Sequence, residues 1–201
     1  MFWKQSIIPV ALAAALMISG LGAGEKPPST APQYTADGHM RLPDNYREWV
    51  YLTSGFDMSY TPDAQADHHM FDNVFVNPEA YRSFLATGTW PDKTMMVLEQ
   101  RGAEGRRSIN RNGNYQSTAV MGVEVHVKDT KRFPGGWAFF GFGSEKPAAM
   151  IPRTASCYSC HLQHAAVDTT FVQFYPVLLP IAKSKGTLSG SYLKETAEEK
   201  R

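Results

Sequence analysis

The chain has 201 residues, 20 Lys and Arg against 19 Asp and Glu, and a formal net charge of +1. That balance offers no basic surface for nucleic acid and no polybasic stretch for an anionic membrane. The length suits one domain, and an aromatic content of 12% suits a protein that encloses a large flat group.

The chain opens on an export signal. Lys4 precedes an apolar run from Ile7 to Leu21, and Gly22, Ala23 and Gly24 follow it. A short basic start, an apolar core and small residues describe a secretory signal peptide cleaved near Ala23. The run is short for a spanning helix, and no cysteine lies near the cleavage site to carry a lipid. The expected divisions are 1–23 signal peptide, 24–39 flexible leader, 40–183 folded domain and 184–201 polar, frayed tail. Export implies a periplasmic protein in an oxidising compartment, where two free cysteines would be expected to pair.

Leu42 to Trp49 reads as a short helix feeding a strand over 49–53. Val74-Phe75-Val76 has strand composition. Asn77-Pro78-Glu79 starts a helix with Asn as N-cap and Pro at the first helical position. Tyr81, Phe84 and Leu85 are its apolar face, and Gly88 ends it. Thr94 to Gln100 reads as a strand, and the Gly-, Asn- and Arg-rich stretch 101–113 as a solvated connection. From Ala119 to Lys128, apolar residues alternate with polar ones. That alternation sets Glu124, His126 and Lys128 on one face of a strand, expected to be exposed. A turn at Phe133 to Gly136 leads to an aromatic strand, Trp137 to Phe142. The last element is expected to be a helix capped by Asp168 and kinked at Pro176. Its face would be Phe171, Phe174, Tyr175, Leu178 and Leu179. The fold class is α+β: a mainly antiparallel β-sheet of about five strands with a few helices.

Both cysteines fall in Cys157-Tyr158-Ser159-Cys160-His161. C-x-x-C-H is the attachment signature of c-type haem. Two thiols add to the two vinyl groups, and the adjacent histidine reaches the iron as proximal ligand. The motif predicts one covalently attached haem c, held by Cys157 and Cys160 with His161 on the metal. A redox dithiol is one alternative, although such motifs normally sit in a βαβ setting. A zinc site including His164 is another, although four ligands within eight residues surround an ion poorly. No sixth iron ligand stands out. His126 is placed on an exposed strand face, His68 and His69 lie in a polar loop, and the methionines mark no position. An iron with an open sixth position is therefore expected, the state suited to small-molecule chemistry.

Several segments together resemble the cytochrome P-460 family: Leu42-Pro43 with Asn45-Tyr46-Arg47-Glu48-Trp49-Val50, Val76-Asn77-Pro78-Glu79, Thr87-Gly88, Val127-Lys128-Asp129, Arg132-Phe133, Trp137-Ala138-Phe139, the C-x-x-C-H motif, and Phe171 with Phe174-Tyr175-Pro176-Val177-Leu178. The similarity runs over about residues 40–183. It implies a mostly β periplasmic haem protein, commonly a homodimer, with five-coordinate haem c. Relatives oxidise hydroxylamine or, as cytochromes c′-beta, bind nitric oxide in an apolar distal pocket. The oxidising members carry a lysine cross-linked to the macrocycle, and the corresponding position here is Leu98. Lys93, five residues earlier, lies in the preceding turn at an odd offset, so the cross-link is expected to be absent. Glu124 matches an acidic position of the family and is the candidate distal proton relay. Phe71 and Phe140, with Phe75 and Phe139, are candidates for the apolar cap. The expected function is binding of nitric oxide or similar diatomics, with a redox partner protein. A hydroxylamine-oxidising enzyme and an electron-transfer cytochrome are the alternatives.

Overall fold

The structure is a computed structural model that describes residues 29–60, 69–143 and 146–199. The signal peptide, residues 24–28 of the leader and His68 lie outside the described residues. Strands β1 (Val50–Phe56), β2 (Met70–Val76), β3 (Met95–Gly105), β4 (Asn114–Lys128) and β5 (Trp137–Phe142) form one sheet. Each pairs antiparallel with its sequence neighbour, so spatial order follows chain order. The helices are α1 (Pro78–Thr87), α2 (Ser156–His164), α3 (Leu178–Lys185) and α4 (Gly190–Glu198). The expected α+β class is the observed one. The connection expected over 101–113 is shorter than its composition suggested. β3 and β4 continue past it to the pair Gly105 and Asn114, with register shifts around Arg101.

Side chains alternate faces along a strand, so the register divides the sheet cleanly. The row Phe75, Val97, Val125, Phe140 points to one face. There it packs with Met40, Tyr46, Trp49, Phe133 and Ala148. The row Val76, Met96, His126, Phe139 points to the other. On that side Val76 and Met96 pack with Phe84 of α1, Leu178 and Ala182 of α3, and the buried segment Ala166, Val167, Val172 and Tyr175. The fold is thus a sheet between two unlike layers, and the motif helix belongs to the helical one.

α1 begins at Pro78 and ends at Gly88, whose φ of 75° is left-handed. A Cβ there would lie 2.7 Å from Cβ of Lys185, so glycine is also needed for the approach of α3. Asn77 precedes the helix as expected, but its side chain does not cap it. Its Oδ1 accepts from the Met95 N–H at 2.8 Å and its Nδ2 donates to the Lys93 carbonyl, tying α1 to β3.

The C-terminal region departs from its pattern. Instead of one kinked helix there is a 3₁₀ turn at Val172–Phe174, an extended Tyr175, and then α3. Pro176 disfavours helical backbone at the residue before it, which breaks the helix rather than bending it. Phe174 is consequently exposed while Val172 is fully buried. Asp168 caps no helix; it sits at φ 58° and accepts from Lys128 Nζ at 2.7 Å. The tail expected to fray contains α4. Ser189 caps it by accepting from the Tyr192 N–H, and its hydroxyl donates to the Ala165 carbonyl. Glu195 of α4 meets His164 of α2 at 3.1 Å. Among the described residues no helix is long and apolar enough to cross a membrane.

Candidate haem site

Cys157, Cys160 and His161 occupy successive turns of α2, so an i, i+3 spacing sets both thiols on one side. Both are free and partly buried. Burial pushes the Cys157 thiol up, and the charges of Glu124 and Cys160 add to that. A raised thiol is the opposite of the low-pKa thiolate a redox dithiol uses. His164 turns away to Glu195, and no group of three or more His, Cys, Asp or Glu among the described residues converges as a metal site. The zinc alternative therefore has no geometry behind it.

Three aromatic rings border His161. Its ring lies 4.2 Å from Phe171, 4.7 Å from Phe139 and 5.1 Å from His126, centroid to centroid. Its Nδ1 is 2.8 Å from the Thr169 carbonyl oxygen. A carbonyl only accepts, so Nδ1 carries the proton and Nε2 keeps its lone pair. Burial lowers the pKa of His161, against a smaller opposing effect of the Thr169 carbonyl, and so favours the neutral ring a metal needs. Metal-bound histidines characteristically give the other ring N–H to such an acceptor.

The carbonyl is itself positioned by a tight turn. Val167 and Thr170 form an isolated bridge across it. Lys128 holds Asp168, the Trp90 indole N–H donates to the Thr170 hydroxyl at 2.7 Å, and that hydroxyl donates to the Val167 carbonyl. Beside His161 lies a cavity of about 230 Å³, lined in part by His126, Trp137, Phe139, Tyr158 and Leu162. A second cleft of about 410 Å³ lies at the β3–β4 hairpin tip, between Gly105 and Asn114, and holds no side chain suited to haem chemistry.

Leu98, Glu124 and Gly141 form one row across β3, β4 and β5, on the face that carries His126 and Phe139. Glu124 reaches solvent and has no hydrogen bond or ion pair among the described residues. The protein packed around it still raises its carboxyl pKa, with a smaller contribution from Asp72. Tyr60 is raised by burial first, then by Cys160, Asp72 and Glu124. Glu124, Tyr60 and the two thiols therefore share one neighbourhood. Leu98 lies directly opposite Glu124, and no lysine occupies that row. Lys93 stands in a left-handed turn before β3 (φ 66°), with Nζ 2.5 Å from Asp129 Oδ2.

Four expectations change, for Phe75, Phe140, Phe71 and His126; Phe75 points to the face of Val97 and Val125, away from His161. Phe140 is fully buried on the opposite face of the sheet, among Val97 and Val125. Phe71 is also on that opposite face by register and packs on Phe56, with centroids 4.8 Å apart. Neither lies on the face toward His161, since Phe140 must point away from wherever Phe139 points. His126 is 8% exposed rather than on a solvent face. It stacks on Phe139 at 4.0 Å and 12°, and its pKa falls well below the ordinary value through burial and then His161. His69, at the β1–β2 end, pairs with Asp57 at 2.5 Å. The alternation of β4 named the face of His126 correctly. What no local pattern could supply is the helical layer that covers that face at one end only.

The donor set fits a haem: two free thiols on one helix side, and a neutral imidazole with its outer N–H fixed and Nε2 free, bordered by Phe139 and Phe171. The family model for Cytochrome P460 matches residues 43–172, which includes the motif and both strands of the Leu98–Glu124 pair. No curated protein matches the chain.

Proposed function

Because the chain belongs to the cytochrome P460 family, and is on that ground a haem cytochrome, we propose that it is an exported, periplasmic protein carrying one haem c and binding nitric oxide or a similar diatomic. Cys157 and Cys160 form the thioethers and His161 binds the iron. The observation that carries this reading is the hydrogen bond from His161 Nδ1–H to the Thr169 carbonyl, made by a histidine that directly follows the second of two free thiols on the same helix.

Bound haem supplies an iron that takes up a small ligand and exchanges single electrons. The chain's residues do the rest. Thr169 keeps the proton on Nδ1 and the lone pair on Nε2. Phe139 and Phe171 wall His161 from water. His126 is engaged with Thr169 and set edge-on to His161, so it is not free to serve as a second iron ligand. Glu124 has no hydrogen-bond or ion-pair partner among the described residues and a raised carboxyl pKa, so it can hold a proton and would be the group to deliver it to a small ligand. Leu98 has no nucleophilic atom to bond to a macrocycle, so the lysine cross-link is absent and hydroxylamine oxidation is weak. A homodimer and a redox partner protein belong to the same reading.

Optical spectra of the purified protein, oxidised, reduced and with nitric oxide, test this. The expected result is an ordinary c-haem spectrum without a strong red shift, high-spin in the ferrous state, with ready uptake of the gas. A low-spin ferrous spectrum at neutral pH would favour the electron carrier. A strongly red-shifted one would favour the hydroxylamine enzyme.

A further inference from the structure

The turn after the motif helix is tethered at three consecutive residues. Asp168 is bound by Lys128, the Thr169 hydroxyl by His126, and Thr170 by Trp90. Two of those tethers come from one strand: His126 and Lys128 are two residues apart on β4, so they share a face and reach the turn side by side. β4 is an interior strand, and His126 pairs across both neighbours, with Met96 on β3 and Phe139 on β5. Its ring is fixed further by stacking on Phe139 and by Trp137 at 4.3 Å. The middle residue of the turn then serves two histidines. Its carbonyl accepts from His161 Nδ1–H at 2.8 Å, and its hydroxyl shares a hydrogen bond of 3.3 Å with His126 Nε2.

We infer that His126 is a positioning residue for the proximal ligand: through the Thr169 hydroxyl it fixes the Thr169 carbonyl, and so sets the orientation and donor strength of His161. This rests on the proposed haem coordination. A proximal histidine whose outer N–H is firmly hydrogen-bonded is a stronger donor to the metal, and loss of an outer partner weakens the first-shell bond. A stronger donor favours the ferric state, so loosening the carbonyl should raise the reduction potential. Nothing in this role requires His126 to touch the metal or to change protonation state.

The test uses the haem-loaded protein with three substitutions. Thr169→Val removes the hydroxyl but leaves the carbonyl, Thr169→Ser keeps both, and His126→Phe keeps the stack on Phe139 but loses the nitrogen. The readouts are the iron–histidine stretching band of the ferrous protein by resonance Raman and the reduction potential. Thr169→Val and His126→Phe should each shift the band down and the potential up. Thr169→Ser should retain the wild-type values, and the Val/Phe double variant should shift no further than the larger single. A merely structural role would not produce the serine rescue. Wild-type band and potential in both Thr169→Val and His126→Phe would overturn the inference while leaving the haem reading intact. If Thr169→Val fails to load haem, His126→Phe decides alone. Wild-type protein without haem on a denaturing gel would overturn the parent reading and this one together.

Discussion

Leu98 and Glu99 are consecutive on β3 and therefore face opposite layers. Leu98 looks toward the motif, while Glu99 is a carboxylate only 2% exposed on the other face. It accepts from the Tyr46 hydroxyl, from Arg47 at 2.7 Å (Nε) and 2.5 Å (a terminal guanidinium nitrogen), and from Arg101. These bonds clamp the N-terminal segment and the bend near Arg101 onto the strand that carries Leu98. Glu99→Ala leaves the buried Tyr46 hydroxyl and the 20%-exposed Arg101 side chain without their acceptor, while Arg47, 51% exposed, recovers water. Breaking a buried ion pair by removing one partner costs about 3–5 kcal/mol, and the hydration of Arg47 favours the lower end, about 3 kcal/mol. For a domain of this size that is a fall in Tm of roughly 6–12 °C. Burial alone would raise the Glu99 pKa; the hydrogen bonds from Tyr46, Arg101 and Arg47 outweigh it and hold the group below the usual carboxylate range. A carboxylate depressed in the fold stabilises above its unfolded pKa of about 4.3, and that stabilisation is lost as pH falls through the folded pKa. Thermal unfolding of wild type and Glu99→Ala, followed by circular dichroism, should show a gap that is full at pH 7 and shrinks progressively below about pH 4. A gap under about 1 kcal/mol at pH 7, or one indifferent to pH, would mean that the Glu99 bonds do not stabilise the fold.

Glu124→Gln should leave nitric oxide binding within a few-fold of wild type and slow peroxide-dependent dye oxidation by about 10²-fold; equal rates would remove Glu124 from the chemistry. Leu98→Lys places an amine directly opposite Glu124, so a fraction of that protein should acquire a red-shifted spectrum and a third haem–protein bond by mass. Phe139→Leu should alter the haem spectrum, because Phe139 contacts His161 and His126. Phe140→Leu should lower Tm without altering the spectrum, and a reversed pair of outcomes would mean that the faces of β5 are misassigned.

Much of the sheet was legible because each strand carries its own period. Val123, Val125 and Val127 declared a core face, and the structure buries all three. The same alternation grouped Glu124, His126 and Lys128, which do share a face. Their burial differs because Ala166, Val172, Tyr175 and α3, all far along the chain, pack over that face at one end. Phe71, Phe75 and Phe140 stand out in the sequence by residue type, which carries no face information; register does. In the C-terminal region the spacing of Phe171, Phe174 and Tyr175 looked helical, but Pro176 decided the backbone. In the polar tail Glu195 meets His164 of the motif helix and Ser189 meets Ala165 just past its end, partners that composition does not reveal. The motif was readable because its chemistry is compressed into adjacent residues. The Thr169 carbonyl, eight residues on and a backbone atom, left no mark on the sequence.

Covalent attachment of one haem is read most directly from the mass of the haem peptide released by proteolysis of the denatured wild-type protein. A single haem is expected on the peptide spanning Cys157 and Cys160, with two thioether bonds and no other peptide attached. A haem-free peptide, or a haem carrying a third covalent attachment such as one through Lys93, would contradict this reading.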